Sequence, residues 1–285
     1  NIEIIILIYI FFFVLFMSSF VEDSDVNGRI TINLPARSNQ DRGKHWVLAD
    51  GNEFFAVADG HGSHIFADLI ISMLDLILTS GNVDFSVEDL TMTIDKIFDD
   101  INQGAKNKYQ SVCGGSTFSL LISRPGKDFW IANVGDSTAV IFDKENSTFD
   151  TLTEDHSASN IEEAKRILSQ FPEAVFEFDR RIKMGPTFPM YDVTDEGIKK
   201  RPVPNSNIYF KNVNHEVATY FGFNKDGRTY RLAPTRGIGD FRFQENAGLI
   251  SKPHIRRIDA LTPNNVVICA SDGLWDCWTL EELLN

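Results

Sequence analysis

Three aspartates stand at the ends of short apolar runs, and this arrangement constrains the chain more than any other feature. Asp59 closes Phe-Phe-Ala-Val-Ala-Asp, Asp136 lies in Ile-Ala-Asn-Val-Gly-Asp-Ser, and Asp272 closes Val-Val-Ile-Cys-Ala-Ser-Asp. Each run reads as a buried strand. Strand ends bring side chains to one rim of a sheet, and several rims can converge. Converging carboxylates repel one another and call for a cation. Asp41, in Arg-Ser-Asn-Gln-Asp-Arg, is a fourth candidate without such a strand before it. Oxygen-only ligation selects magnesium or manganese over zinc. Taken singly, Asp-Gly after a strand is a routine turn, and a lone histidine is a surface or packing residue. The unit Asp59-Gly60-His61-Gly62 is what lifts the case. Its glycines permit close backbone approach, and a helix opening at Ser63 would turn its first N–H groups toward an anion such as phosphate.

The rest of the chain alternates short strands with a few helices. Arg29–Leu34, His45–Ala49 and Phe54–Ala58 read as strands, with Asp50-Gly51 as a hairpin turn. From Ser63, apolar residues at Phe66, Leu69, Ile70, Met73, Leu74, Ile77 and Leu78 predict a helix. Ser86 to Tyr109 reads as a second, with Ser86 and Asp89 resembling a capping box and Leu90, Ile94, Ile97, Phe98 and Ile101 on one face. Strands follow at Thr117–Ile122, Phe129–Val134 and Thr138–Phe142, then a helix at Ile161–Ser169. Residues 171–230 hold five of the ten prolines and the basic patches Arg180-Arg181 and Lys199-Lys200-Arg201. They read as a long irregular excursion with a few short strands, of the kind that forms lids or binding loops. Strands at Ile255–Ile258 and Val266–Ala270 precede a helix starting near Thr279. This order predicts an α+β fold with two mainly antiparallel sheets packed as a sandwich and helices outside.

Composition narrows the function. The 285 residues carry a net charge of −13, which argues against nucleic-acid binding. Three cysteines, Cys113, Cys269 and Cys277, make no disulfide framework and fit a reducing compartment, cytosolic or facing the cytoplasm; Cys113 and Cys269 read as small buried apolar residues. Residues 4–17, IIILIYIFFFVLFM, carry no charge. Within a hydrophobic segment 1–20 they stay open between a membrane anchor, a cleaved signal and an artefact of the start site.

ARSNQD, FFAVADGHGS, GGSTFSLLI, IANVGDSTAVIF, LTEDHSA, LAPTRGIGDF and VVICASDGLWD, in this order, resemble the type-2C metal-dependent serine/threonine protein phosphatases from about Arg37 to the end. The resemblance implies a domain over 21–285, monomeric, acting on phosphorylated proteins. It implies two magnesium or manganese ions and a weaker third. Asp59 would bridge two ions, Gly60 would offer its carbonyl, Asp272 would hold the second ion, Asp41 and Gln40 would reach ion-bound waters, and Asp136 would join Asp272 at the third site. His61 matches the general acid that protonates the leaving oxygen, and Arg37 the phosphate clamp. Gly115, Ser116, Thr117, Thr235, Arg236, Gly239, Asp240, Asp155 and His156 match supporting positions.

Departures from the family pattern keep a catalytically impaired binding module as the alternative. The family's last metal-ligating aspartate lies in an Asp-Asn pair beyond the SDGLWD segment, and the expectation is a domain truncated before it. Arg37 precedes Asp41 by four residues where many relatives have five, with Arg42 as a substitute. Gln40 replaces the commoner Glu, and Thr138 the Arg that often follows GDS. The excursion at 171–230 exceeds the usual flap.

Overall fold

The computed structural model describes residues 39–184, 187–194, 196–258, 261–279 and 281–282, and the backbone of three strands, Glu3–Ile8, Val21–Ser24 and Ile30–Asn33. Two sheets form the sandwich expected from the sequence. The first has the order His254–Ile258, Asp128–Val134, Phe118–Arg124, Glu53–Ala58, Arg42–Val47, antiparallel throughout. The second runs Thr148–Thr151, Thr138–Asp143, Asn265–Ala270, Glu3–Ile8, Ile30–Asn33, Val21–Ser24. Its strands are antiparallel except Glu3–Ile8, which runs parallel to both neighbours.

The period of two in a strand explains the central run Glu53–Ala58. Phe54, Ala56 and Ala58 face the helices, while Phe55 and Val57 face the second sheet. Both faces are buried, so the run is apolar without alternation. Between the sheets, Phe55, Val57, Leu121, Phe129 and Ile131 pack with Ala139, Val267 and Cys269. On the other face lie helices α1 (Ile65–Thr79) and α2 (Thr91–Tyr109). Phe98 of α2 stacks on Phe118 at 4.4 Å between ring centroids. Such an aromatic pair adds about 1 kcal/mol to the area it buries.

α1 begins where expected, although Ser63 acts one position before the cap: its Oγ accepts from the Ile65 amide at 3.3 Å. α2 begins at Thr91 rather than Ser86, so the expected capping box does not form. Ser86 is held in a turn by Asp84, which accepts from its amide at 2.8 Å, while Asp89 accepts from the Thr91 amide at 2.8 Å. Near the end, Thr279 and Glu282 cap each other reciprocally, with Glu282 accepting from the Thr279 amide and Thr279 from the Glu282 amide, as the helix predicted there requires.

The stretch 171–230 is more ordered than expected. Val175–Phe178, Phe188–Pro189, Thr219–Lys225 and Arg228–Leu232 form a four-stranded sheet, and Tyr191–Thr194 with Gly197–Lys200 a hairpin. Phe176, Phe178, Met190, Phe221 and Phe223 make a core of their own with Ala164 and Ile167 of α3 (Ile161–Gln170). The Tyr191 hydroxyl donates to the Ala158 carbonyl at 2.8 Å.

One further expectation needs correction. Cys113 is exposed, because it lies in the turn after α2; Cys269 is buried in the inter-sheet core as expected. In the apolar segment at 4–17, residues 4–8 belong to the strand Glu3–Ile8, and 9–17 lie outside the described residues. Among the described residues no helix is long and apolar enough to cross a membrane.

Candidate active site

Three glycine-bearing motifs, far apart in sequence, meet in one small sheet. Gly60–His61 pairs with Gly115–Ser116, which pairs in turn with Ile238–Gly239. The junction admits no side chain at two points. A Cβ on Gly60 would lie 2.7 Å from the Gln40 carbonyl, and one on Gly115 would lie 2.7 Å from the Ile238 carbonyl and closer still to the Asp240 carboxylate. The backbone of Asp59 is clamped from the same side. Its amide donates to Thr117 Oγ1 at 3.1 Å, and its carbonyl accepts from the Thr117 amide at 2.9 Å and the Ser116 hydroxyl at 3.0 Å. Thr117 Oγ1 is 2.8 Å from Ser137 Oγ, which couples this clamp to the loop of Asp136. Gly115, Ser116 and Thr117 are therefore the supporting floor that the sequence suggested.

Asp59, Asp41, Asp136 and Asp272 converge electrostatically. Burial pushes the Asp59 carboxyl well above the usual range, and the charges of Asp41, Asp272 and Asp136 push it further. Asp41 is raised by burial, offset by hydrogen bonds to Asp59 and Ser271; the Ser271 hydroxyl donates to it at 2.9 Å. Asp136 is raised by burial and by Asp272. Asp272 itself opens the short helix α5 (Asp272–Trp275) after the strand Asn265–Ala270. Among the described residues no three His, Cys, Asp or Glu side chains close around a single ligation point. The fit to a cation therefore rests on the donor set: carboxylate oxygens from four segments, crowded enough that their charges add to burial in raising Asp59 and Asp136, beside the Gly60 carbonyl. Magnesium retains several waters and needs no closed protein cage, so carboxylates spaced beyond direct closure suit it.

His61 Nε2 lies 2.5 Å from Asp240 Oδ2. Burial alone would lower the His61 pKa, but the hydrogen bond and charge of Asp240, with the charge of Asp136, leave it raised. Asp240 is buried and left-handed, with φ 48° and ψ 42°, a conformation that costs a non-glycine residue about 1 kcal/mol or more. Its amide donates to the Gly114 carbonyl at 2.9 Å, which holds it in place.

The other candidates divide. Arg37 lies outside the described residues. Arg42 is committed elsewhere: its Nε donates to Asp68 at 2.6 Å, and its Nη1 to the Asp41 carbonyl at 2.7 Å and the Asn39 carbonyl at 3.1 Å. The carbonyl of Gln40 accepts from the Gly60 amide at 3.2 Å, so this residue braces the loop through its backbone. His156 is fully buried, its pKa pushed down to about 3, first by burial and then by Arg236, and its carbonyl receives the Thr235 amide at 2.7 Å. It supports the loop, as expected. Arg236 and Arg166 both grip the buried carboxylate of Glu163, at 2.6 and 2.7 Å.

Sequence reasoning assigned no role to Asp276 or Lys211, which share a cavity of about 550 Å³ with Asp136 and Asp272. Burial and the charge of Asp272 raise the Asp276 carboxyl to about 6. A signal for Asp276 was present, since it stands one helical turn beyond Asp272. Lys211 had none, because it lies in the excursion.

The protein phosphatase 2C family model matches residues 34–184 and 198–285. Probable protein phosphatase 2C 44 of Oryza sativa subsp. japonica is 27% identical over 236 residues, covering 81% of this chain and 57% of that protein. Probable protein phosphatase 2C 72 of Arabidopsis thaliana is 24% identical over 276 residues, covering 87% and 68%. Protein phosphatase 1L of Bos taurus is 25% identical, covering 80% and 52%. The chain thus spans about half to two thirds of the length of these relatives. Two solved structures share the fold: a serine-threonine phosphatase 2C from Toxoplasma gondii (TM-score 0.56, 17% identity, covering 87% of this chain and 78% of that one) and a C. elegans sex determining protein (TM-score 0.58, 18% identity, 87% and 52%). With the family model matching nearly the whole chain from residue 34, most of the excursion included, and the motif glycines meeting in one junction, the chain belongs to the protein phosphatase 2C family.

Proposed function

We propose that this protein hydrolyses phosphoserine and phosphothreonine monoesters in proteins and requires magnesium or manganese. The observation that carries the reading is the crowding of Asp59, Asp41, Asp136 and Asp272, whose charges raise Asp59 and Asp136 at the rim beside His61. Asp59, Asp272, Asp41 and the Gly60 carbonyl would hold the ions, two in number, with Asp136 beside Asp272. Such ions supply acidified water and neutralise phosphoryl charge. The Asp59 backbone is held by the Ser116–Thr117 clamp, so the root of its side chain keeps its place without the substrate. His61, held by Asp240 and raised in pKa, carries a proton and delivers it from its ring to the departing seryl or threonyl oxygen. Arg37 would clamp the phosphate. Residues 21–285 would form the catalytic domain, with 171–230 as its flap.

The test is release of phosphate from a phosphothreonine peptide after chelation and re-addition of manganese. Activity lost to the chelator and restored by manganese supports the reading. Turnover indifferent to both contradicts it.

A further inference from the structure

The carboxylate rim already contains a cation. Lys211 lies on the segment between the excursion's strands, and its place is set by backbone bonds. Its amide donates to the Glu216 carbonyl at 2.8 Å, Phe210 bridges Val217, and the Val213 amide donates to the Asp276 carbonyl at 3.1 Å. The last bond pins this hairpin directly onto the Asp272–Asp276 turn. Lys211 lines both cavities that meet there, about 550 and 410 Å³, and so do Asp136, Asp155, Asp272 and Asp276.

A surface ion pair does not account for this placement. The nearest carboxylate, that of Glu216, is 3.8 Å from the ammonium and largely exposed, a contact of little value. Burial would lower the Lys211 pKa, yet the charges of Asp136, Asp276, Glu216 and Asp155 raise it. The effect is reciprocal: Lys211 pulls down Asp136, Asp155 and Asp276. One ammonium thus serves carboxylates from three separate loops and the hairpin that bears it.

Resting on the reading that the rim binds magnesium or manganese, we propose that the Lys211 ammonium is a built-in cation standing where Asp136 and Asp276 would otherwise take a further divalent ion. The ions at Asp59 and Asp272 remain; the excursion supplies the remaining positive charge covalently. A hairpin carrying the charge also ties the excursion to the rim, so the same lysine joins flap position to site electrostatics.

Manganese titration of the chelator-treated protein by calorimetry, with free ion followed by electron paramagnetic resonance, tests this. Lys211→Met should bind one manganese ion more per chain than wild type, or tighten the weakest step by about tenfold, the effect of removing a like charge at close range. Lys211→Arg should match wild type, and Asp276→Asn should remove the gain in the Lys211→Met background. With Lys211 intact, Asp276→Asn should leave the manganese count unchanged. A wild-type count with wild-type affinities in Lys211→Met overturns the proposal, even if the KM for phosphopeptide rises, which would make Lys211 a substrate contact instead. Should Lys211→Met not fold, a manganese ion lost in Asp276→Asn alone overturns it. Wild-type protein that binds no manganese overturns both this proposal and the reading beneath it, whereas wild-type binding with no gain overturns this proposal only.

Discussion

His61 Nε2 sits 2.5 Å from Asp240 Oδ2, although 179 positions separate the two residues in the chain. The contact exists because the strand Gly60–His61 and the strand Ile238–Gly239 flank Gly115–Ser116. Its consequence is chemical. An imidazole held by a buried carboxylate keeps one orientation and favours the protonated form.

His61→Gln is therefore expected to lower kcat on a phosphothreonine peptide by about 100-fold or more. p-Nitrophenyl phosphate, whose leaving group needs no proton, should lose far less. Asp240→Asn should show the same split with a smaller loss. Parallel kinetics on the two substrates check this; equal losses on both would remove His61 from the proton-transfer role.

Gly115→Ala tests the junction itself. Its Cβ would meet the Ile238 carbonyl at 2.7 Å and the Asp240 carboxylate. Overpacking of this kind costs about 1–3 kcal/mol. Because the displaced atoms include those that hold His61, activity should fall even at temperatures where the fold persists. Thermal unfolding and activity measured on the same sample separate the two losses.

Glu163 is a buried hub for Arg236 and Arg166, and it also accepts from the Thr235 hydroxyl at 2.9 Å. Glu163→Gln strands two guanidinium groups and should cost about 3–5 kcal/mol in urea unfolding. Retention of wild-type stability would show that water reaches the pair.

Two groups outside the carboxylate rim contribute to acid sensitivity. His156 is held near 3 by burial, below its ordinary 6.5, so the unfolded chain binds its proton first. Stability should decline from about pH 6.5 downward, by up to about 1.4 kcal/mol per pH unit from this group, until pH 3. Burial would raise Glu163, but Arg236 and Arg166 hold it down at about 2, so its contribution is complete above pH 4.5 and is lost only as pH falls toward 2. The raised carboxyls of Asp59 and Asp276 act with the opposite sign, so urea unfolding at pH 7, 5.5 and 4 should lose more stability on acidification in wild type than in His156→Asn. A slope unchanged in that variant would assign the acid sensitivity elsewhere.

Much of the sandwich was legible because its strands are continuous apolar runs such as Glu53–Ala58, buried on both faces. The helix faces of α1 and α2 were equally plain, since Leu69, Ile70, Leu74, Ile94, Phe98 and Ile101 recur at helical spacing and are buried. The start of α2 was misread because Asp84 and Asp89 captured local amides in turns that a capping pattern does not distinguish. The sheet within 171–230 was missed for a different reason. Its apolar residues come in pairs, Phe176 with Phe178 and Phe221 with Phe223, too short for a periodic signal, and they need α3 to complete their core. At the site, Asp59, Asp136 and Asp272 were marked by the runs before them. Lys211 belongs to the rim only because the Val213 amide reaches the Asp276 carbonyl, a tertiary bond with no trace in local sequence.

The most direct test of the central claim compares wild type with Asp59→Asn in manganese-dependent release of phosphate from a phosphothreonine peptide, with folding verified by thermal unfolding. The Asp59 carboxylate stands where three other charges converge on it. The substitution should leave a folded protein with activity reduced by about 100-fold or more, a loss comparable to that of a key group that stabilises transition-state charge. A folded Asp59→Asn protein that releases phosphate at the wild-type rate would contradict the account.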